Sequence, residues 1–112
     1  NDEVASDVYC TRSNLKKLRD TGKYASEGYK GYVAFNTAAM KEGKVSAKLK
    51  EIIATASGAA SQCPYCIDVH TKRAVELGAT KEELAEALLV TACIRAGGTY
   101  GHLAMMFESY EE

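Results

Sequence analysis

Proline occurs once in this chain, at position 64, and the glycines, serines and threonines fall where helices start and stop. That punctuation constrains the fold more than any other feature. Strand-like alternation of apolar and polar positions is scarce, whereas apolar residues recur at i, i+3, i+4 and i+7. The expected fold is an all-α bundle in one domain, 1–112, a common size for a single hydrophobic core.

The expected elements follow from capping chemistry. Residues 1–11 read as an N-terminal arm, and the stretch 1–25 as loosely attached to the rest. A short helix from Ser13 to Asp20 should stop near Gly22, and a second should run from Ser26 to Glu42. Ser46 supplies an N-cap for a helix over 47–61 whose apolar stripe is Leu49, Ile52, Ile53, Ala56, Ala59 and Ala60. Small residues at Ala54, Ser57, Gly58 and Ala59 allow a neighbouring element to approach closely. The next helix starts at the cysteine motif, reaches Leu77 and ends at Gly78. Thr80 and Glu83 form a capping box that opens a helix over 81–96, with Gly97-Gly98 expected to break it before a last helix over 99–110. Helix 81–96 is apolar around most of its circumference, which a 112-residue monomer struggles to cover, so a homo-oligomer is expected. Tyr24, Tyr29 and Tyr32 read as packing groups.

Fourteen basic and fifteen acidic residues leave a formal charge of −1, with no basic run long enough to track a phosphate backbone. Nucleic acid is therefore not an expected partner. No apolar stretch approaches the roughly 20 residues needed to cross a bilayer, so no membrane partner is expected either. Asn1-Asp2-Glu3 lacks the apolar region of an export signal, and the absent initiator Met points to a processed start. A cytoplasmic location follows as an expectation.

The four cysteines stand at 10, 63, 66 and 93. Cys93, in an apolar run, reads as buried packing; Cys10 is assigned nothing. Cys63-Pro64-Tyr65-Cys66-Ile67-Asp68-Val69-His70 is different in kind. Pro64 suits the first position of a helix, which makes Cys63 the N-cap and puts Cys66 in the first turn. Free amides and the helix dipole favour a thiolate there, and the i, i+3 spacing brings the sulfurs close enough for a disulfide. His70 follows Cys66 by one turn on the same face and can take its proton or pair with the thiolate. The dipole alone favours Cys63 as the leading sulfur, and the His70 spacing favours Cys66. Glu51, twelve residues before Cys63, faces the motif if the two helices form an antiparallel pair. Zinc is the main chemical rival, since Cys63, Cys66, His70 and Glu51 are all ligand types, although a tetrahedron within two turns of one helix is awkward. No metal or cofactor is expected.

The series Glu51, Cys63, Cys66, His70 has the spacing E-x11-C-x2-C-x3-H. It resembles the signature of alkylhydroperoxidase D-like proteins, within the carboxymuconolactone decarboxylase superfamily. Ile94-Arg95-Ala96-Gly97-Gly98 and His102 are also similar to that family's next helix, and the likeness covers roughly 33–105. The resemblance implies an AhpD-like helical fold and thiol-dependent reduction of hydroperoxides. It makes Cys66 the peroxidatic residue, Cys63 its resolving partner through a Cys63–Cys66 disulfide, and His70 with Glu51 a proton relay. It also implies a dithiol electron donor, either a lipoyl group or a thioredoxin-like protein, and a trimer or hexamer. The best-known member carries a His where this chain has Tyr65, which can donate a hydrogen bond to a peroxide but is a poor base. Tyr65 and His102 are expected to border the site. The competing functions are a carboxymuconolactone-decarboxylase-type lyase, which needs no cysteine pair, and a non-enzymatic redox-sensing module.

Overall fold

A computed structural model describes residues 11–112, and Cys10 and the arm before it lie outside the described residues. Seven α-helices follow in order: α1 (Arg12–Leu15), α2 (Thr21–Tyr24), α3 (Ser26–Met40), α4 (Ala47–Ala60), α5 (Pro64–Glu76), α6 (Lys81–Tyr100) and α7 (Leu103–Glu111). A 3₁₀ turn over Lys16–Asp20 joins α1 to α2. No strand occurs among the described residues, as the all-α expectation requires.

The caps fall where side-chain chemistry puts them. Ser46 Oγ accepts from the Leu49 amide at 3.1 Å and opens α4. The Thr80–Glu83 box closes in both directions, Glu83 N–H to Thr80 Oγ1 at 3.1 Å and Thr80 N–H to Glu83 Oε1 at 2.9 Å. Two helices end in the same motif. At the end of α5, Gly78 N–H donates to Val75 O and Ala79 N–H to Ala74 O, with Gly78 at φ +95°. At the end of α4, Gln62 N–H donates to Ala59 O and Cys63 N–H to Gly58 O, with Gln62 at φ +57°. Both are Schellman turns, and only the first uses the glycine that the left-handed position favours.

The core is a three-helix contact. α4 and α5 lie antiparallel, and α6 packs on the remaining face of α4. Ile52, Ala56 and Ala74 are its buried apolar residues. Gly58 permits the close approach: a Cβ built on it would stand 2.7 Å from Cys66 Cβ. α3, α6 and α7 contain no buried residue.

Four expectations are corrected. Gly97-Gly98 does not break α6, which continues to Tyr100. Glycine weakens a helix but forbids nothing in it; the carbonyls of Arg95 and Gly98 gain extra partners in Thr99 Oγ1 (3.0 Å) and His102 Nδ1 (2.5 Å). Gly22 does not stop the first helical stretch, because it lies inside α2 and leaves room for the Tyr29 ring; the break comes at Ala25. Cys93 is exposed, since α6 offers only its opposite face to α4. Tyr24 and Tyr32 are exposed as well, having no helix of this chain over them.

Candidate functional site

The α4–α5 turn assembles the site. Because Cys63 is the last residue of the Schellman turn and also the N-cap of α5, its position is fixed from both sides. Its Sγ accepts from the Cys66 amide at 3.3 Å, the interaction expected of an N-cap residue. Pro64 occupies the first helical position. Cys66 rests against Gly58, and both cysteines are reduced and half-buried.

One turn further along α5, His70 Nδ1 meets Glu51 Oε1 of α4 at 2.7 Å. Glu51 is 7% exposed, a carboxylate whose burial is offset by this bond. The antiparallel register explains the pairing: Glu51 and Gly58 are two turns apart on α4, opposite His70 and Cys66 of α5. Glu51, Cys63, Cys66 and His70 are thus brought together as the spacing predicts. His70 Nε2 has no hydrogen-bond partner among the described residues.

The two thiols are electrostatically unequal. The Cys66 thiol and the amides of Cys66 and Tyr65 donate to the Cys63 sulfur, holding its pKa below the ordinary thiol range. Cys66 is pushed up to about 11, first by donating to Cys63 and then by burial and the adjacent negative charge. Of the two, Cys63 therefore gives up its proton more readily than Cys66.

Tyr65 borders the outer side of the motif, where Thr11, Arg12, Pro64 and Asp68 line a shallow cleft with it. Arg12 Nη2 bonds Asp68 Oδ1 at 3.0 Å and ties the N-terminal segment to α5; Lys72 holds the same carboxylate. His102 lies elsewhere, on the α6–α7 junction, lining a cleft with Ile94, Arg95, Gly98 and Thr99. Among the described residues no three His, Cys, Asp or Glu side chains are grouped to hold a metal ion. No helix there is long and apolar enough to cross a membrane. Sequence reading did not anticipate the Arg12–Asp68 tie or the strained Gln62. The first carries no local signal, and the second is visible only as a turn without its glycine.

Known proteins repeat this arrangement of helices. The Carboxymuconolactone decarboxylase family model matches residues 26–104. An uncharacterised protein of the cox locus of Paracoccus denitrificans is 34% identical over 85 residues, 76% of this chain and 77% of its own. A carboxymuconolactone decarboxylase family protein from Legionella pneumophila superposes with a TM-score of 0.70 at 35% identity, covering 91% of both chains. A protein from Methanobacterium thermoautotrophicum has the same TM-score at 34% identity, covering 76% of this chain and 96% of that one. With the α4–α5 hairpin, its cysteine pair and these likenesses in agreement, the chain belongs to the carboxymuconolactone decarboxylase family, as an alkylhydroperoxidase D-like member.

Proposed function

We propose that the chain is a thiol-dependent peroxidase that reduces hydroperoxides through a Cys63–Cys66 dithiol/disulfide cycle. The observation that carries this reading is the row Glu51–His70–Cys66–Cys63, in which a buried carboxylate holds an imidazole one turn along α5 from the Cys63–Cys66 pair.

Cys66 passes its proton to the Cys63 sulfur and attacks the terminal oxygen of R–OOH. An S–O bond forms, the O–O bond breaks, and the alkoxide takes a proton from the His70 imidazolium, whose charge Glu51 stabilises. Cys66 is then a sulfenic acid and the product is R–OH. The Cys63 thiol attacks the Cys66 sulfur, its proton leaves with the hydroxyl as water, and the disulfide forms. Two electrons have moved from the two thiols to the peroxide. An external dithiol, a lipoyl group or a thioredoxin-like protein, returns them by thiol–disulfide exchange.

The lowered pKa of Cys63 favours a second order of events, in which Cys63 attacks and Cys66 resolves. Mass spectrometry after one equivalent of peroxide separates the two. The expected outcome is an internal disulfide in the wild type and a sulfenic acid on Cys66 in Cys63→Ser. A sulfenic acid trapped only on Cys63 of Cys66→Ser reverses the order. Free thiols that survive peroxide sink the enzyme reading.

We further propose that the working form is a homo-oligomer, a trimer or hexamer. The chain exposes 9107 Å², whereas a folded monomer of this mass exposes about 6,000 Å². The excess is large enough for an obligate interface. Leu89, Val90 and Ile94 of α6 and Met106, Phe107 and Tyr110 of α7 supply it. Light scattering that finds only a 12.1 kDa species overturns the assembly.

A further inference from the structure

Gln62 occupies the left-handed position of a Schellman turn, where α5 of the same chain uses Gly78. A non-glycine residue held there has a function to account for it more often than a residue in an open turn does. Its side chain lines a cleft of about 340 Å³ together with Arg95 and Thr91 of α6, over an apolar floor of Ala59, Leu88 and Ala92. Arg95 is fixed by one bond, Nη1 to Ala60 O at 2.9 Å, at the C-terminus of α4. Arg95 is exposed, and no ion pair among the described residues involves it.

A second cleft of about 320 Å³, almost wholly apolar, shares Ala59 and Leu88 with the first. It runs between α4, α5 and α6 past Ile67 and Thr71, the row of α5 beside Cys66 and His70. The two clefts adjoin at Ala59 and Leu88, and Ile67 and Thr71 on the second follow Cys66 and His70 directly along α5. Leu89 and Val90 of α6 line neither cleft, whereas Ile94 shares a further cleft with Arg95 and His102.

We propose that Gln62 and Arg95 bind the carboxylate of an aliphatic acid whose chain lies along Ala59 and Leu88 toward Ile67. A guanidinium and an amide are matched donors for a carboxylate, and the apolar cleft takes the methylenes. That the far end of the acid is a hydroperoxide reduced at the thiols rests on the peroxidase reading; the carboxylate end does not. The acid group takes no part in the electron transfer and serves to orient the chain.

Octanoate is the redox-inert probe, with methyl octanoate as its uncharged counterpart. Titration calorimetry on the reduced full chain should show octanoate binding and slowing of iodoacetamide labelling of Cys63, with the ester at least about tenfold weaker. Arg95→Gln should lose about tenfold or more in octanoate affinity, and Arg95→Lys should recover part of it. Gln62→Gly should raise the melting temperature, because the strain is relieved, and weaken octanoate binding at the same time. The proposal is overturned if the ester binds as well as the acid. Equal octanoate affinity in wild type and Arg95→Gln, or Gln62→Gly that stabilises without weakening binding, overturns it as well. A chain that binds octanoate but never consumes any hydroperoxide refutes the peroxidase and leaves the acid site standing. Turnover without octanoate binding does the reverse.

Discussion

Glu51 Oε1 and His70 Nδ1, 2.7 Å apart, are the polar bridge across the α4–α5 pair. The bond fixes the plane of the imidazole and leaves its Nε2 unengaged, the orientation that the proposed relay through His70 requires. Glu51→Gln keeps the size and one hydrogen bond but removes the charge that stabilises the imidazolium. Peroxide reduction should slow by roughly 10²-fold, toward the lower end of what general acid–base catalysis supplies, while the helical circular dichroism is retained. A stopped-flow rate constant equal to wild type would remove the relay from the mechanism.

The unequal thiols give a titration signature. In a Cys10→Ala/Cys93→Ala background, measured against a reference that also lacks Cys63 and Cys66, thiolate absorbance should rise in one step below the ordinary thiol value and one near 11. The largest cause of the lowering is the Cys66 thiol itself, so Cys66→Ala should move the remaining step upward and slow iodoacetamide alkylation of Cys63 at neutral pH. Cys66→Ser, which keeps a hydroxyl donor, should move it less. Identical profiles for the two variants would contradict the hydrogen bond between the thiols.

Two glycines should respond to alanine with opposite signs. At Gly58 the added Cβ meets Cys66 Cβ at 2.7 Å, so α4 and α5 must separate or Cys66 must turn away. Gly58→Ala should cost about 1–3 kcal/mol and depress peroxide turnover with it. At Gly28, within α3, nothing lies within 4 Å of the added atom, and the change should stabilise by about 0.5–1 kcal/mol. Parallel denaturant titrations decide it, and equal shifts at the two positions would refute the packing argument.

The capping box predicts a pH effect. Glu83 is held below the usual carboxylate range, chiefly by the Thr80 amide and then by Lys48. A depressed pKa stabilises the fold above the unfolded value, about 4.3, and that contribution fades as pH falls through the lower folded value. Thr80→Ala should cost about 1 kcal/mol near neutral pH. Glu83→Gln should flatten the acid side of a melting-temperature profile, and an unaltered acid limb would show that the carboxylate contributes nothing.

Much of this site is legible in sequence because its residues are linked by local rules. Ser46, Pro64, Gly78 and the Thr80–Glu83 box each announce a helix end through a single side chain, and each end lies within a residue or two of the expected place. Glu51 and His70 meet because helix periodicity and one short turn leave little freedom in register. Gly97-Gly98 misleads because glycine changes a propensity, whereas the end of a helix depends on where its last carbonyls find donors. Cys93 misleads because an apolar neighbourhood in sequence does not say which chain buries it. Arg95 and Gln62 are drawn together by the packing of α6 on α4, a contact between segments some thirty residues apart that no local pattern encodes.

The four residues of the candidate site fall within twenty consecutive positions, Glu51 to His70, and the longest link among them spans nineteen. Contacts this local close quickly, because little chain entropy is lost in bringing their ends together. A chain emerging from the ribosome therefore carries Glu51, Cys63, Cys66 and His70 before α6 has been made. What it still lacks then is the helix that covers Ile52 and Ala56, and with it the Arg95 end of the cleft. The cysteine pair is thus complete in the growing chain before the clefts beside it exist.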